Sequence, residues 1–347
     1  MPEIQKKIFY DYDRPALAEL AKAYKWPKFR LNQLLDWQAK CAFELDHLTN
    51  IPKNMREQLD EAMYWPAIKV SKLESSKVEP VNKYLFALAD GNLIETVSMH
   101  YSYGHSICLT TQVGCRMNCH FCASAKLGLK RNLSAGEMLA QIAAVARIEQ
   151  SRVSHLVLMG IGEPLDNYGE LIKFLKNLKS DDGIKVSMRN ITISTCGLVP
   201  AVKKLAGEGL PVTLAISLHA PDQATRNLLM PIAHHYPIDE IIDAADYYQR
   251  ETGRRVSYEY TLFKGINDSP IQARALAKLL AKRKSHINLI PANKVPDSEW
   301  TRPEEPVIKN FQKILLDHGL NATVRYSAGQ DITAACGQLR RQNSPGK

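Results

Sequence analysis

Three thiols stand close together in the run Cys115-Arg116-Met117-Asn118-Cys119-His120-Phe121-Cys122. Spaced Cys-x3-Cys-x2-Cys, three thiolates can hold three irons of a cubane iron–sulfur cluster and leave the fourth iron open. An open iron can take a small molecule through an amino group and a carboxylate. Structural zinc asks for four ligands. His120 is the nearby candidate for a fourth, and it is pinned between Cys119 and Phe121. A disulfide framework belongs to small secreted chains, which a 347-residue chain is not.

The elements that must position these thiols alternate from residue 105 onward. Strand patterns fall at 106–111, 154–159, 190–194, 212–217, 256–262 and 286–290, with amphipathic stretches between them. The first of those stretches opens on a capping box, Ser134-Ala135-Gly136-Glu137. Six βα units in order imply a parallel sheet with right-handed crossovers. An open doubly wound sheet and a partial (β/α)6 TIM-like barrel both satisfy that pattern, and the loops favour the barrel. Gly160-Ile161-Gly162-Glu163-Pro164, Ser194-Thr195-Cys196-Gly197, Ser217-Leu218-His219-Ala220-Pro221 and Pro291-Ala292-Asn293 each follow a strand and would gather at one C-terminal rim. A dinucleotide fingerprint is missing, since Leu165 stands where its third glycine would fall.

Ahead of the barrel, 83–88 and 93–99 read as strands joined by the Asp90-Gly91-Asn92 turn. Residues 14–64 read as helical, punctuated by Pro27 and Pro52. The expected organisation is a helical accessory domain over 1–80, a β-extension over 81–104, an α/β core over 105–340 and a polar tail over 341–347. At 39.0 kDa and 45% hydrophobic content, the chain can build a core of that size. No apolar run approaches the roughly 18 residues of a membrane span, and no apolar signal region follows Met1. The expectation is a reducing cytoplasmic compartment, where seven cysteines serve metal binding or catalysis. The net charge of +9 and pI of 9.1 suit a nucleic-acid partner. Basic clusters lie at Lys203-Lys204, Arg254-Arg255, Lys282-Arg283-Lys284 and Arg340-Arg341.

The three-cysteine motif resembles the one that defines radical S-adenosylmethionine (SAM) enzymes. Gln112-Val113-Gly114 ahead of it, Met159–Leu165, Ala215–Pro221 and Ala334-Ala335-Cys336-Gly337-Gln338-Leu339 resemble the RlmN family, in order and spacing, over roughly residues 80–340. That family comprises dual-specificity radical SAM methyltransferases acting on adenosine in 23S rRNA and tRNA. The resemblance implies a radical SAM barrel and a 4Fe-4S cluster on Cys115, Cys119 and Cys122. It implies SAM held by Gly162, Glu163, Ser194, Ser217, Leu218, His219 and Asn293. It assigns Cys336 as an S-methylcysteine methyl carrier, Cys108 as its transient disulfide partner and Glu95 as proton acceptor. Read alone, Cys108 is a buried strand cysteine, Glu95 an exposed strand residue and His219 a packed histidine. Cys41 and Cys196 match no chemical role and read as structural.

An adenine ring carbon is too electron-poor to attack an ordinary SAM methyl group, so a cofactor must supply a radical. The implied cycle spends two SAM molecules, passes through a covalent protein–RNA adduct at carbon 2 and ends in a Cys108–Cys336 disulfide. It calls for a reductant of the flavodoxin type and suits a monomer without membrane attachment. The related Cfr enzymes, which methylate carbon 8 of the same base, are the alternative, as is a non-catalytic RNA-binding protein with structural zinc. Two positions depart from the family pattern: Tyr326 stands where a second basic residue is usual, and Thr333 where an aspartate is.

Overall fold

In the computed structural model of the chain, the described residues are 6–125, 128–293, 300–326, 329 and 331–332. The chain opens with β1 (Lys7–Ile8) and three helices, α1 (Arg14–Ala23), α2 (Lys28–Ala39) and α3 (Lys53–Ala62). Each helix begins where the sequence dictates. The Asp13 carboxylate accepts the Ala16 amide at 3.0 Å, and Pro27 and Pro52 stand as the residues before α2 and α3. β2 (Met63–Tyr64) returns to pair with β1. Asp11 fastens this module to the rest: its carboxylate accepts the Gly136 amide and the Ser134 hydroxyl, both at 2.8 Å.

A meander follows: β3 (Lys69–Ser75), β4 (Val81–Ala87), β5 (Leu93–Tyr101) and β6 (Gly104–Cys108), each antiparallel to the next. β3 was not legible as a strand because it is an edge, exposed at almost every position, so no apolar alternation marks it. A short antiparallel hairpin, β7 (Gln112–Gly114) and β8 (Leu129–Asn132), leads into α4 (Ala135–Ile148). The capping box is formed, with the Ser134 hydroxyl accepting the Glu137 amide. Then come β9 (Val153–Leu158), α5 (Tyr168–Lys179), β10 (Ile191–Thr195), α6 (Val199–Ala206), β11 (Thr213–Ser217), α7 (Gln223–Leu229) and α8 (Ile238–Thr252). β12 (Val256–Leu262), α9 (Pro270–Leu280), β13 (Ser285–Pro291), α10 (Glu305–Asp317) and β14 (Ala322–Val324) complete the order.

One ten-stranded sheet carries both parts, in the order β14-β13-β12-β11-β10-β9-β6-β5-β4-β3. β6 is the joint. It is antiparallel to β5 on one edge and parallel to β9 on the other, so the extension is continuous with the barrel wall. From β6 to β14 all pairs are parallel, which makes the fold a partial α/β barrel as the alternation implies. β14 extends the six expected strands by one, and at three residues it is too short to show a pattern. Fully buried Ile107, Leu156, Ile193, Leu214, Ile216 and Leu289 pack the sheet in the main core. Among the described residues, no helix is long and apolar enough to cross a membrane.

Candidate active site

The parallel run sends its strand ends to one rim, and a cavity of about 340 Å³ opens there. Cys115, Cys119 and Cys122 form one side of it. Gly162, Glu163, Ser194, Ser217, His219 and Asn293 reach it from the tips of successive strands. Nine residues singled out from the sequence therefore share one lining. Leu218 does not join them. Its side chain is fully buried in the core, and its carbonyl accepts from Arg226 instead.

The thiol loop is built on a tight hairpin. Gly114 lies in the left-handed region (φ +91°), and a Cβ there would sit 1.7 Å from the Gly128 carbonyl oxygen. The Cys115 amide donates to that same carbonyl at 3.1 Å, closing the loop, and Cys122 N–H returns to the Cys119 carbonyl at 3.0 Å. Arg116 ties the loop to the segment after β9 through Asp166. Burial pushes the Cys115 thiol up to about 12, and the neighbouring Cys122 adds to the shift. Cys119 is raised for the same reasons, burial first, then Cys122 and Cys115. Cys115 is buried and Cys119 half-buried, each held up in part by its neighbouring thiols, and with Cys122 they make a donor set completed by a positively charged centre.

The residues present fit an iron–sulfur cluster better than zinc. A zinc ion with bonds of about 2.3 Å draws its thiolates to roughly 3.8 Å from one another. Among the described residues, the one set of three ligand atoms lying within 4.8 Å of each other is His100, His105 and Glu149, so the cysteines are spread more widely than that. His120 turns away: it is exposed, its Nδ1 bonds the Leu228 carbonyl at 2.8 Å, and it does not line the cavity. The His100–His105–Glu149 set lies away from the cavity, and its carboxylate is already filled by Asn82, Tyr84, Ser98 and His100.

Opposite the thiols, Glu163 is almost wholly buried. Its Oε1 accepts the Leu165 amide at 3.0 Å and its Oε2 the Cys196 amide at 2.8 Å. Burial raises its carboxyl above the ordinary range, against those hydrogen bonds. Gly162 precedes it at φ +113°, where a Cβ would meet Gln112 Cβ at 2.7 Å. Ser194 and Ser217 stand at adjacent strand ends with hydroxyls 3.4 Å apart. His219 holds a left-handed backbone (φ 56°), and its Nδ1 accepts the Thr261 amide at 3.0 Å. Burial, then the Arg226 charge, lowers it to about 3, so its ring is neutral. Phe121, Phe263 and Met230 give the cavity an apolar side.

Two residues that sequence reasoning passed over, Arg226 and Asn267, hold this rim together with Gln112, which was quoted only as part of the motif ahead of the cysteines. Arg226 is fully buried and donates to the carbonyls of Ser217 (2.9 Å), Leu218 and Cys196 (2.6 Å). Burial lowers its guanidinium to about 10. The available signal was an arginine three residues before fully buried Leu229, on the inward face of α7. Buried Asn267 donates to the carbonyls of His219 and Thr261, both at 2.7 Å. Gln112 accepts the Glu163 amide at 2.8 Å. Cys196, read as structural, does line the cavity, but its backbone is what is used: the amide by Glu163, the carbonyl by Arg226. Cys41 is half-buried and remote from this lining.

Cys108 and Glu95 do not line the cavity. Cys108 ends β6, whereas the sequence pattern ran that strand over 106–111. Beyond it the chain leaves the ladder, with the Thr110 amide donating to Gln141 Oε1 at 3.0 Å. The Met159 amide bonds the Cys108 sulfur, so Cys108 lies just behind the cavity wall. Burial pushes its thiol up to about 11. Glu95 is buried, not exposed as its strand pattern implied, and pairs with Lys83 at 2.9 Å. Cys336 and Thr333 lie outside the described residues. Tyr326 is exposed, and its hydroxyl donates to Glu305 at 2.5 Å.

Of the basic clusters, Arg340-Arg341 lies outside the described residues, and the two that directly precede strands are not at this rim. Arg254-Arg255 and Lys282-Arg283-Lys284 immediately precede parallel strands β12 and β13, at the opposite rim. Arg283 is engaged with Asp246 at 3.0 Å and Arg254 with Thr213 at 2.9 Å.

Residues 109–276 match the radical SAM superfamily. The chain is 45% identical over 315 residues to the probable dual-specificity RNA methyltransferase RlmN of Clostridium novyi (strain NT), covering 90% of this chain and 92% of that one. It is 48% identical over 316 residues to the protein of the same description from Alkaliphilus oremlandii (strain OhILAs), covering 91% and 92%. A radical SAM methyltransferase from Sphaerobacter thermophilus, known as a crystal structure, superposes with a TM-score of 0.91 at 40% identity, over 96% of this chain and 98% of that one. With its thiol loop, rim and near-complete length all matched, the chain belongs to the RlmN family within the radical SAM superfamily.

Proposed function

We propose that this chain methylates carbon 2 of adenosine in 23S rRNA and in tRNA, with Cys336 carrying the methyl group, Cys108 releasing the product and Glu95 taking the ring proton. The single observation that carries the reading is the shared lining: three thiols face Gly162, Glu163, Ser194, Ser217, His219 and Asn293 across one cavity, in a chain of this family. When bound there, a four-iron cluster on Cys115, Cys119 and Cys122 together with SAM would supply methyl groups and a carbon-centred radical.

The chain's own residues have separable tasks. The Glu163 carboxylate and the carbonyls around Gly162 suit an ammonium group. The Ser194 and Ser217 hydroxyls suit a ribose and a methionine carboxylate, and Asn293 suits a purine edge. The apolar side formed by Phe121, Met230 and Phe263 excludes water from the space between. Cys108, raised to about 11, stays a thiol at neutral pH, so its attack on a sulfur needs a nearby proton acceptor. A cavity at the barrel rim admits an adenine only after it leaves its stack, which is cheapest in single-stranded loops. We assign the helical segment within 1–80 to contacts with that RNA, the electrons that would reduce the cluster to a donor of the flavodoxin type, and resetting of the disulfide to thiol reductants in a cytoplasmic setting.

The test is methylation of rRNA and tRNA transcripts by anaerobically reconstituted wild type and by Cys336→Ala and Cys108→Ala, with mass spectrometry of the nucleosides. The expected results are 2-methyladenosine from wild type, no product from Cys336→Ala, and a stalled protein–RNA adduct with Cys108→Ala. Full turnover by Cys336→Ala would overturn the two-cysteine scheme, and 8-methyladenosine would overturn the regiochemistry. Protein free of iron and sulfide after reconstitution would overturn the cluster.

A further inference from the structure

Lys83 and Glu95 form an ion pair 2.9 Å apart with side chains 0% and 3% exposed. A lysine is almost never so buried unless something holds it there. Its surroundings do not ask for charge: Val81 and Leu85 flank Lys83 on its own face of β4, and Val97 faces it from β5. Two apolar side chains of similar volume would serve stability at least as well as a buried ion pair. Packing alone therefore gives no reason for these residue types.

The register supplies one. Lys83 stands opposite Val97, and Val97 opposite Cys108, so Lys83 and Cys108 lie in one row across three neighbouring strands. Side chains alternate along a strand, which puts Glu95, two residues before Val97, on that same face. Glu95 is fixed in the backbone as well. Its carbonyl accepts the Thr110 hydroxyl at 2.6 Å, and its neighbour Thr96 donates to Gln141 at 2.8 Å from the other face. The carboxylate is thus aimed inward, with Lys83 as its steering partner. Cys108 feels the charges of both, as well as that of Arg325 from beyond β14.

We infer that Lys83 is a positioning residue of the product-release step, holding the Glu95 carboxylate beside Cys108 where the substrate's ring proton must leave. This rests on the roles given above to Glu95, Cys108 and Cys336. In that step the ring C–H bond breaks heterolytically. The proton goes to a Glu95 oxygen, giving the neutral acid, and the electron pair enters the ring's π system, the adduct having first given up its unpaired electron to the iron–sulfur centre that the three thiols would hold. Cys108 then loses its proton and bonds the Cys336 sulfur as the Cys336 sulfur–methylene bond breaks, and the methylene carbon keeps that pair and takes a proton to become the methyl group. Lys83 touches neither substrate nor cofactor. It sets where the accepting oxygen stands.

The test is single-turnover kinetics on the full-length reconstituted enzyme, following the covalent protein–RNA adduct on denaturing gels. Lys83→Met, Glu95→Gln and the double variant are compared with wild type, with Cys108→Ala and Cys336→Ala as references. Rate constants for adduct formation and decay are read separately, because they do not depend on the fraction of molecules that is folded. The expected result for Lys83→Met is adduct decay slowed by about 100-fold, the scale of a general-base contribution, with formation much less affected. A purely structural role lowers amplitudes and leaves the decay constant at its wild-type value, which would overturn the inference. Should Lys83→Met fold poorly, the neutral double variant is compared with Glu95→Gln. Equal decay means both residues act in one step, and a further multiplicative loss means Lys83 acts independently and overturns it. If Cys108→Ala accumulates no adduct, or adduct persists in Cys336→Ala, the two-cysteine reading fails first. If both references behave and Lys83→Met decays normally, the Lys83 inference alone fails.

Discussion

His219 carries its pH dependence in a single side chain. The residue is 6% exposed, and burial, then the charge of the buried Arg226 guanidinium, lower its ring to about 3. An unfolded histidine takes up its proton near 6.5. The native state therefore stays neutral where the unfolded chain binds a proton. Stability from this group is complete above about 6.5 and is lost as pH falls toward 3, at about 1.4 kcal/mol per pH unit. Between pH 6.5 and 5 that amounts to about 2 kcal/mol. Asparagine is the informative replacement, because it tolerates the left-handed backbone at this position and its oxygen can accept the Thr261 amide as Nδ1 does. Urea denaturation of the reduced apoprotein should show His219→Asn losing about 2 kcal/mol less than wild type over that interval. Identical pH slopes would place the ring outside the buried environment described.

At the scale of elements, the rim is a set of strand ends tied together by side chains from neighbouring segments. Arg226 on α7 is the strongest tie, donating to the carbonyls of Cys196, just after β10, and of Ser217 and Leu218, at the end of β11. Replacing it with methionine fills much of the space and leaves those carbonyls without their charged donor. Hydrogen bonds to charged groups are worth roughly 1.5–3 kcal/mol each. Part of that is offset because Arg226→Met also removes a costly buried charge whose Nε has no partner among the described residues. The expected net loss is about 3 kcal/mol, read as a lower urea midpoint with an unchanged m-value, together with faster loss of iron from reconstituted protein. An unchanged midpoint would show the three carbonyls to be satisfied without it. This tie also marks where sequence reading stops. The cysteine motif, the hydroxyls at the strand ends and the barrel alternation were legible because each is local, a spacing or a period. Arg226, Asn267 and Lys83 were not, since each draws its meaning from a partner brought close only by folding. For the same reason Glu95 looked exposed: its alternation is ordinary, and the cation that accompanies its burial lies on another strand. β3 and β14 carried too little pattern to be seen at all.

Across the whole molecule, a charge of +9 draws RNA, but where the charge sits decides what it does. The cavity opens at the C-terminal ends of the strands, whereas Arg255, Lys282 and Lys284 are exposed at the N-terminal ends. β12 alone spans seven residues, so the two rims are separated by roughly 20 Å of strand. That is about two Debye lengths at physiological ionic strength. A nucleotide seated at the cavity gains little from cations so far away. Among the described residues, the cations beside the cavity lining include Arg116, next to Cys115 and paired with Asp166, and Lys264, next to Phe263 and paired with Glu304, with 63% and 57% of their side chains exposed. Each phosphate contact of a single strand contributes about 0.7 to the slope of log affinity against log salt. RNA affinity measured over a series of KCl concentrations should therefore fall steeply for wild type. Lys264→Ala should flatten the slope by about one contact, and Arg116→Ala should do the same once its iron content is shown to match wild type. The double replacement Lys282→Ala/Lys284→Ala should leave the slope where it was. The opposite pattern, with the far rim controlling the salt dependence, would mean that the RNA wraps the barrel and reaches the cavity from a direction the strand ends do not suggest.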